Sequence, residues 1–251
     1  MLAAWTRHRR TRNAGVVDLL WAAGLGSLAI GYALLASGWL PRRILVASMA
    51  GAWSLRLTLH LAARLRREPE DGRYGTLREK LASRHDRWML GFFQAQAVLA
   101  VVLSLAFLVP ISAEDVGFGL RDLAGVLIWV LALGGEALAD RQLRTWRVEP
   151  RNEGRTCRAG LWRYSRHPNY FFEWMHWLSY PVLSMGLSLG WAVWFAPALM
   201  LLLVLKVTGI PPTEEQALRK RGADYRSYQE TTNAFFPGPS RARSKDAPQP
   251  S

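Results

Sequence analysis

A chain of 251 residues in which half are hydrophobic, with a net charge of +13, carries its apolar residues in runs of membrane-spanning length, which excludes an ordinary soluble domain. Its one cysteine excludes an intrachain disulfide and a cysteine-only zinc site. The basic residues gather in alternate connections between the apolar runs, so the charge reads as membrane topology and no nucleic-acid partner is expected.

Residues 1–14 form a basic N-terminal segment that leads straight into an apolar run without a small-residue cleavage pattern, so no cleaved signal peptide is expected. Six spans follow, over residues 16–36, 44–63, 89–109, 120–139, 169–187 and 191–207, each near the ~20 residues that cross a bilayer. The last two lie so close together that they form a tight helical hairpin, and a seventh, half-crossing segment is compatible with the pattern. The predicted fold class is therefore all-α, a polytopic membrane helix bundle of six or seven transmembrane helices in one integral domain over 15–237. Residues 238–251, rich in Pro, Ser, Arg and Lys, read as a disordered tail.

Counting Lys and Arg gives four in the N-terminal segment, eight in each of the second and fourth connections and eight from Lys206 onward. The intervening connections hold two (Arg42 and Arg43), one (Arg121) and none. By the positive-inside rule both termini and the two large loops are expected in the cytoplasm.

Ionisable residues inside spans are costly to bury and are read first as functional. Asp18, beside Trp21 in the first span, is read as a helix cap, a partner for a basic residue or a cavity-facing acid. Arg56 and His60 stand one turn apart in the second span, and a buried arginine needs an acid or phosphate partner. The charged loop from Arg67 to Tyr74 reads as solvated. Glu136 and Asp140 share a face at the end of the fourth span, as a structural ion network or a functional pair. Cys157, among Arg155, Arg158 and Arg163, has no adjacent base and reads as an incidental reduced thiol.

The densest polar chemistry lies between Gly160 and Glu173. Gly160 suits a turn, and Pro168 suits the first turn of a helix whose unpaired N–H groups, beside Arg163 and Arg166, favour a phosphate. Interfacial anchoring accounts for Trp162, Arg163 and Tyr164, but not for His167, Asn169 and Glu173. Tyr170 and Glu173 share a helical face. After the last span, Pro211 and Pro212 stop the membrane helix and Thr213 caps a new one, on which Tyr225 and Tyr228 present one aromatic face. His60, His85, His167 and His176 are scattered, so no metal site is expected.

Several stretches, Val17 to Trp21, Trp53 to Thr58, Glu70 to Tyr74, Gly160 to Glu173 and Glu214 to Phe236, resemble landmarks of the bacterial branch of the steroid 5-alpha-reductase C-terminal family, the DUF1295 proteins. The wider fold group includes isoprenylcysteine carboxyl methyltransferases and sterol reductases. The resemblance implies a membrane reductase that takes NADPH from the cytoplasmic side, with cofactor contacts from Arg147, Asn152, Arg163, Ser165, Arg166, His167, Asn169, Tyr170, Glu173, Glu215, Tyr225 and Tyr228. No Gly-x-Gly-x-x-Gly fingerprint is present, so the helices and loops themselves must hold the cofactor. The implied reaction adds hydride to the β-carbon of an enone in a sterol-like or other lipid, with Tyr74 as carbonyl donor and Arg56 and His60 as alternatives. One departure from the family pattern is Phe172, where a Gly is common. A methyltransferase using S-adenosylmethionine and a non-catalytic lipid-binding membrane protein are the competing readings. Membrane lipids are expected partners, and the oligomeric state is open.

Overall fold

The computed structural model describes residues 1, 5–6, 13–67 and 85–241. All the regular structure in these residues is helical. The chain divides into two compact units, residues 1–125 with 180–196 and residues 126–179 with 197–251.

In the first unit, α1 (Val16–Leu35), α2 (Leu40–Arg67) and α3 (His85–Ile111) pack against one another. Each presents a line of apolar side chains at helical spacing, and Leu25, Val46, Trp53, Phe93, Leu103 and Phe107 are fully buried. Trp21 meets the Trp53 ring edge-on, with centroids 6.3 Å apart. α1 and α2 approach closely because Gly26 has no side chain: a Cβ there would lie 2.3 Å from Ser54 Oγ, which instead donates to Ala22 O at 2.7 Å.

A buried arginine closes the end of this unit. Arg42, in the first turn of α2, is 0% exposed. Its Nε donates to Asp122 Oδ1 at 3.1 Å and its Nη2 to Gly117 O at 2.9 Å. Nη1 donates to the backbone oxygen of Asp115 at 3.1 Å and also to its carboxylate. Asp122 in turn accepts from Gly119 N at 2.8 Å, and Asp115 pairs with Arg121. Counted in the sequence as a connection cation, Arg42 is in fact the pin of the turn between α3 and α4 (Leu120–Val148).

The second unit takes most of α4, short 3-10 turns at Pro150–Asn152 and Gly160–Arg163, α5 (Pro168–Trp177) and α8 (Ile210–Thr231). Between the last two lie α6 (Ser179–Leu183), a 3-10 turn at Gly190–Trp194, α7 (Phe195–Leu202) and a π turn at Leu203–Val207, shared between the units. Val204, Ile210 and Phe235 form one buried cluster, packed by Phe171 and Trp174, and Ala217, Tyr225 and Tyr228 form another. Phe171, Trp174, Phe235 and Phe236 contact each other mostly edge to face, at 5.0–6.1 Å.

Five helices among the described residues are long and apolar enough to cross a membrane, the last of them the merged stretch 190–231. Four match the first four expected spans: the first ends one residue earlier, the second and third run two to four residues longer at each end, and the fourth continues nine residues further, to Val148. The expected span over 169–187 is broken after Trp177, because Pro181 cannot donate to the carbonyl four residues back and its ring crowds that position. The last expected span, 191–207, is built from 3-10, α and π segments in series. At the C-terminal end, Gly238 N donates to Tyr164 O at 3.0 Å and Arg241 N to Thr231 O at 2.8 Å, so the chain is held as far as Arg241.

Candidate functional site

The junction around His167 is built from three pieces of the second unit: the turn 160–167, the start of α5, and α8. Gly160 adopts φ +58°, and a Cβ there would lie 2.5 Å from the Gln142 side chain, so the position requires glycine twice over. Gln142 Oε1 instead accepts from Leu161 N at 2.9 Å. Trp162 is buried with its indole donating to Ala139 O of α4 at 3.0 Å. This leaves Ser165 to His167 facing α8.

Glu214, near the start of α8, is the hub. It accepts from Arg166 Nε at 2.7 Å, from Gln229 Nε2 at 2.7 Å and from Tyr225 OH at 3.4 Å, and it lies 3.1 Å from His167 Nε2. The Arg166 and Glu214 side chains are only 11% and 14% exposed. Nη1 of Arg166 also donates to Gln229 O and Thr232 O, at 3.0 and 2.6 Å. Such a pair is tolerated away from water where further hydrogen bonds of this kind accompany it.

His167 is buried and stacks on Tyr170, with ring centroids 5.3 Å apart and planes 8° apart. Burial pushes its pKa below the ordinary 6.5; the hydrogen bond and charge of Glu214 pull the other way, and the Arg166 charge adds to the lowering. The neutral ring is thereby favoured. Tyr170 OH lies 3.1 Å from Thr213 Oγ1.

Ser165 Oγ donates to Phe235 O at 2.8 Å and accepts from His167 N at 3.1 Å. Tyr228 OH donates to Ser165 O at 3.1 Å and to Trp162 O. Ser165, Arg166, His167, Tyr170, Tyr225 and Tyr228 are thus brought together, but their polar atoms are largely spent on one another and on the backbone. What they make is a lock between the turn 160–167 and α8.

The other expected contacts are more dispersed. Asn169 Nδ2 reaches Asp140 Oδ1 at 3.4 Å, and Glu173 is half-buried on α5 and engaged by other groups. Arg147 and Arg163 are exposed. Asn152 donates to Trp146 O at 3.0 Å and lines a cleft of about 560 Å³ with Arg141, Gln142, Trp146, Arg151 and Gly160. Trp146 Nε1 is buried with no hydrogen-bond partner.

Glu215 does not join the hub: it is exposed and pairs with Arg219 at 2.6 Å, one turn along the same face of α8. The acid that turns inward is Glu214, absent from the expected contacts. Its one signal in the sequence is its place in the Glu214-Glu215 pair; helical counting back from Tyr225 and Tyr228 does not reach it, because Gly222, at φ +47° and ψ −119°, breaks the helix between Arg221 and Tyr225. Gln142 and Gln229 carried no comparable signal.

Arg56 and His60 lie on α2 in the first unit, and neither is free. Tyr74 and the loop around it lie outside the described residues. Cys157 is buried, and burial raises its pKa above 9.0 although Arg147 and Arg221 favour the thiolate. Desolvation outweighs the arginines and favours the protonated thiol.

Phe172 fits because α4 has a glycine opposite it: a Cβ on Gly135 would lie 2.4 Å from the ring. The ring therefore occupies a space that Gly135 leaves open.

No solved structure matches the chain. An uncharacterized protein of Schizosaccharomyces pombe, C594.04c, is 25% identical over 258 residues, covering 90% of this chain and 73% of that protein. Residues 4–232 match the family described as Protein of unknown function (DUF1295), and the chain belongs to that family.

Proposed function

We propose that the protein is an NADPH-dependent membrane reductase that reduces an enone C=C bond of a sterol-like or other lipid substrate. The observation that carries this reading is the cleft lined by Arg141, Arg151, Asn152 and Trp146. Its volume lies in the range of small-molecule sites. Glu149 also lines the cleft, 3.5 Å from Arg151 Nε, so two arginines face one carboxylate; that excess of positive charge and an indole N–H without a partner suit an anionic, aromatic-bearing cofactor better than an uncharged one. Exposed Arg147 and Arg163 add positive charge on the same unit.

When bound, NADPH supplies a hydride. The chain's own residues then divide into two roles. Arg141, Arg147, Arg151, Asn152 and Arg163 bind; Ser165, Arg166, His167, Glu214, Tyr225 and Tyr228 hold the turn that presents Gly160 to the cleft. Tyr74, with Arg56 and His60 as alternatives, donates the hydrogen bond to the substrate carbonyl as enolate charge develops. The proposed setting is a bacterial inner membrane, with six or seven spans and both termini in the cytoplasm, where the basic connections place them.

A second reading, a non-catalytic lipid-binding membrane protein, is favoured by the internal satisfaction of the lock: six of the expected cofactor contacts there spend polar atoms on other protein groups. Titration of NADPH, NADH and S-adenosylmethionine into detergent-solubilised protein separates the readings. The reductase predicts saturable NADPH binding, weaker NADH binding, and a loss of about tenfold or more in an Arg141→Gln/Arg151→Gln variant, since a hydrogen bond to a charged group is worth ~1.5–3 kcal/mol. Binding of S-adenosylmethionine alone would make the protein a methyltransferase. Binding of none of the three would leave the non-catalytic reading.

A further inference from the structure

The first unit carries a second cavity, remote in composition from the arginine-lined cleft and independent of the reductase reading. Along the Gly26–Ser54 contact, α1 and α2 line a groove of about 790 Å³. Gly26, Ser27, Ala47 and Gly51 floor it, and the apolar rim is open: Leu34 is 75% exposed, Leu55 60% and Ile44 56%. Arg56 and His60 do not line the groove, although Ala52, which does, stands one turn before Arg56.

Two polar features bound this apolar surface. Arg43 lines one end. Its Nε donates to Ala33 O at 2.7 Å and its Nη2 to Ala33 O and to Leu34 O at 3.4 Å, which caps the last carbonyls of α1. Among the described residues, Nη1 has no hydrogen bond and the guanidinium has no carboxylate partner. Thr58 lines the groove fifteen residues further along α2, about 22 Å at 1.5 Å per residue. Its Oγ1 is buried with no partner. The hydroxyls of Ser27 and Ser54, by contrast, are consumed by Ala23 O and Ala22 O. An apolar channel with an unneutralised cation at its mouth has the polarity of one lipid, head at Arg43 and chain along Gly51.

Charge decides between a lipid and a second copy of the chain. α2 contains no acidic residue, and the one acid of α1, Asp18, lies fifteen residues before Ala33, about 22 Å along the helix from the end that Arg43 caps. A second copy packed here through its own α1 and α2 brings another Arg43 and no carboxylate. An anionic headgroup supplies the missing negative charge.

We infer that the groove between α1 and α2 binds an anionic phospholipid, with the headgroup phosphate on Arg43 and an acyl chain over Gly26 and Gly51. Native mass spectrometry of the delipidated full chain tests this, with phosphatidylglycerol and phosphatidylcholine of identical acyl chains as probes. The expected result is about a tenfold preference for phosphatidylglycerol, the size of one charge-assisted contact. Arg43→Gln should abolish the preference while chain binding persists. Gly51→Leu should weaken both lipids about tenfold or more. It fits without a backbone shift, because a Cβ at Gly51 meets only Ile30 Cδ1 at 3.9 Å. Its melting temperature and monodispersity provide the folding control. If Arg43→Gln loses the α1 cap and fails to fold, Ala52→Phe, on the exposed lining of the groove, serves as the second blocking variant. Equal retention of the two lipids by the wild type, or undiminished binding by folded Gly51→Leu, overturns the assignment. A dimer that Gly51→Leu dissociates, with no lipid bound, assigns the groove to a second copy instead.

Discussion

Glu214 and Glu215 are neighbours in sequence with opposite fates, and the difference is helical phase. Glu214 is enclosed by Arg166, His167, Tyr225 and Gln229, while Glu215 meets Arg219 in the open. Removing one partner of a buried pair leaves the other charged and desolvated, so Glu214→Ala is expected to cost ~3–5 kcal/mol. Glu215→Ala is expected to cost under about 0.5 kcal/mol, as for exposed pairs. Thermal or urea unfolding of the two variants in the same detergent measures the contrast, and similar losses would remove Glu214 from its central place. His167 adds a pH dependence of known sign. Its folded pKa lies below 6.5, so the unfolded chain takes up the proton first. The stability from the neutral ring is complete above about pH 6.5 and declines as pH falls toward the folded pKa. Unfolding midpoints at pH 7.5 and 5.5 should differ more in wild type than in His167→Gln. Such residue-level facts were only partly legible in the sequence: His167 and Arg166 announced themselves as polar groups beside a membrane boundary, whereas Gln142 and Gln229 did not.

At the scale of elements, two positions decide where helices stop and turn. Pro181 ends α5 at Trp177, so an apolar stretch long enough to span on hydropathy becomes two short helices. Hydropathy counts apolar residues and does not register a missing N–H. Gly160 sets the turn that delivers Trp162 to α4 and Ser165 to α8. Gly160→Ala combines a left-handed φ with a clash against Gln142, and an expected loss of about 1–2 kcal/mol follows from the backbone alone. Adding Gln142→Ala should restore only the part due to the clash, a separation that a double-mutant cycle in unfolding free energy resolves. Gly135 and Phe172 form a similar pair. Gly135→Val should be poorly tolerated in the wild type and better tolerated with Phe172→Ala, because the ring then no longer occupies the space of the new side chain. The helices α1 to α4 were predicted from their apolar runs, and only their ends moved, since fraying and extension beyond the hydrocarbon cost little.

For the whole molecule, the uneven distribution of Lys and Arg predicts which connections share a side of the membrane. In a Cys157→Ser background, Tyr164→Cys and Phe118→Cys, both exposed, should react with an impermeant maleimide from opposite faces of sealed vesicles, Tyr164→Cys from the cytoplasmic one. Reaction of both from one face would break the topology. The sequence by itself determined the all-helical class, the first four long apolar helices, the family landmarks and the glycine at position 160, because periodicity, hydropathy and backbone permissiveness are local properties. Tertiary structure alone decided that Arg42 is a buried pin, that Glu214 rather than Glu215 joins Arg166 and His167, and that Gly135 makes room for Phe172. It also left Arg43 at the mouth of an open groove. Each of these depends on which distant atoms share a small, poorly hydrated volume, and that is set by packing between helices rather than by the spacing of residues along any one of them.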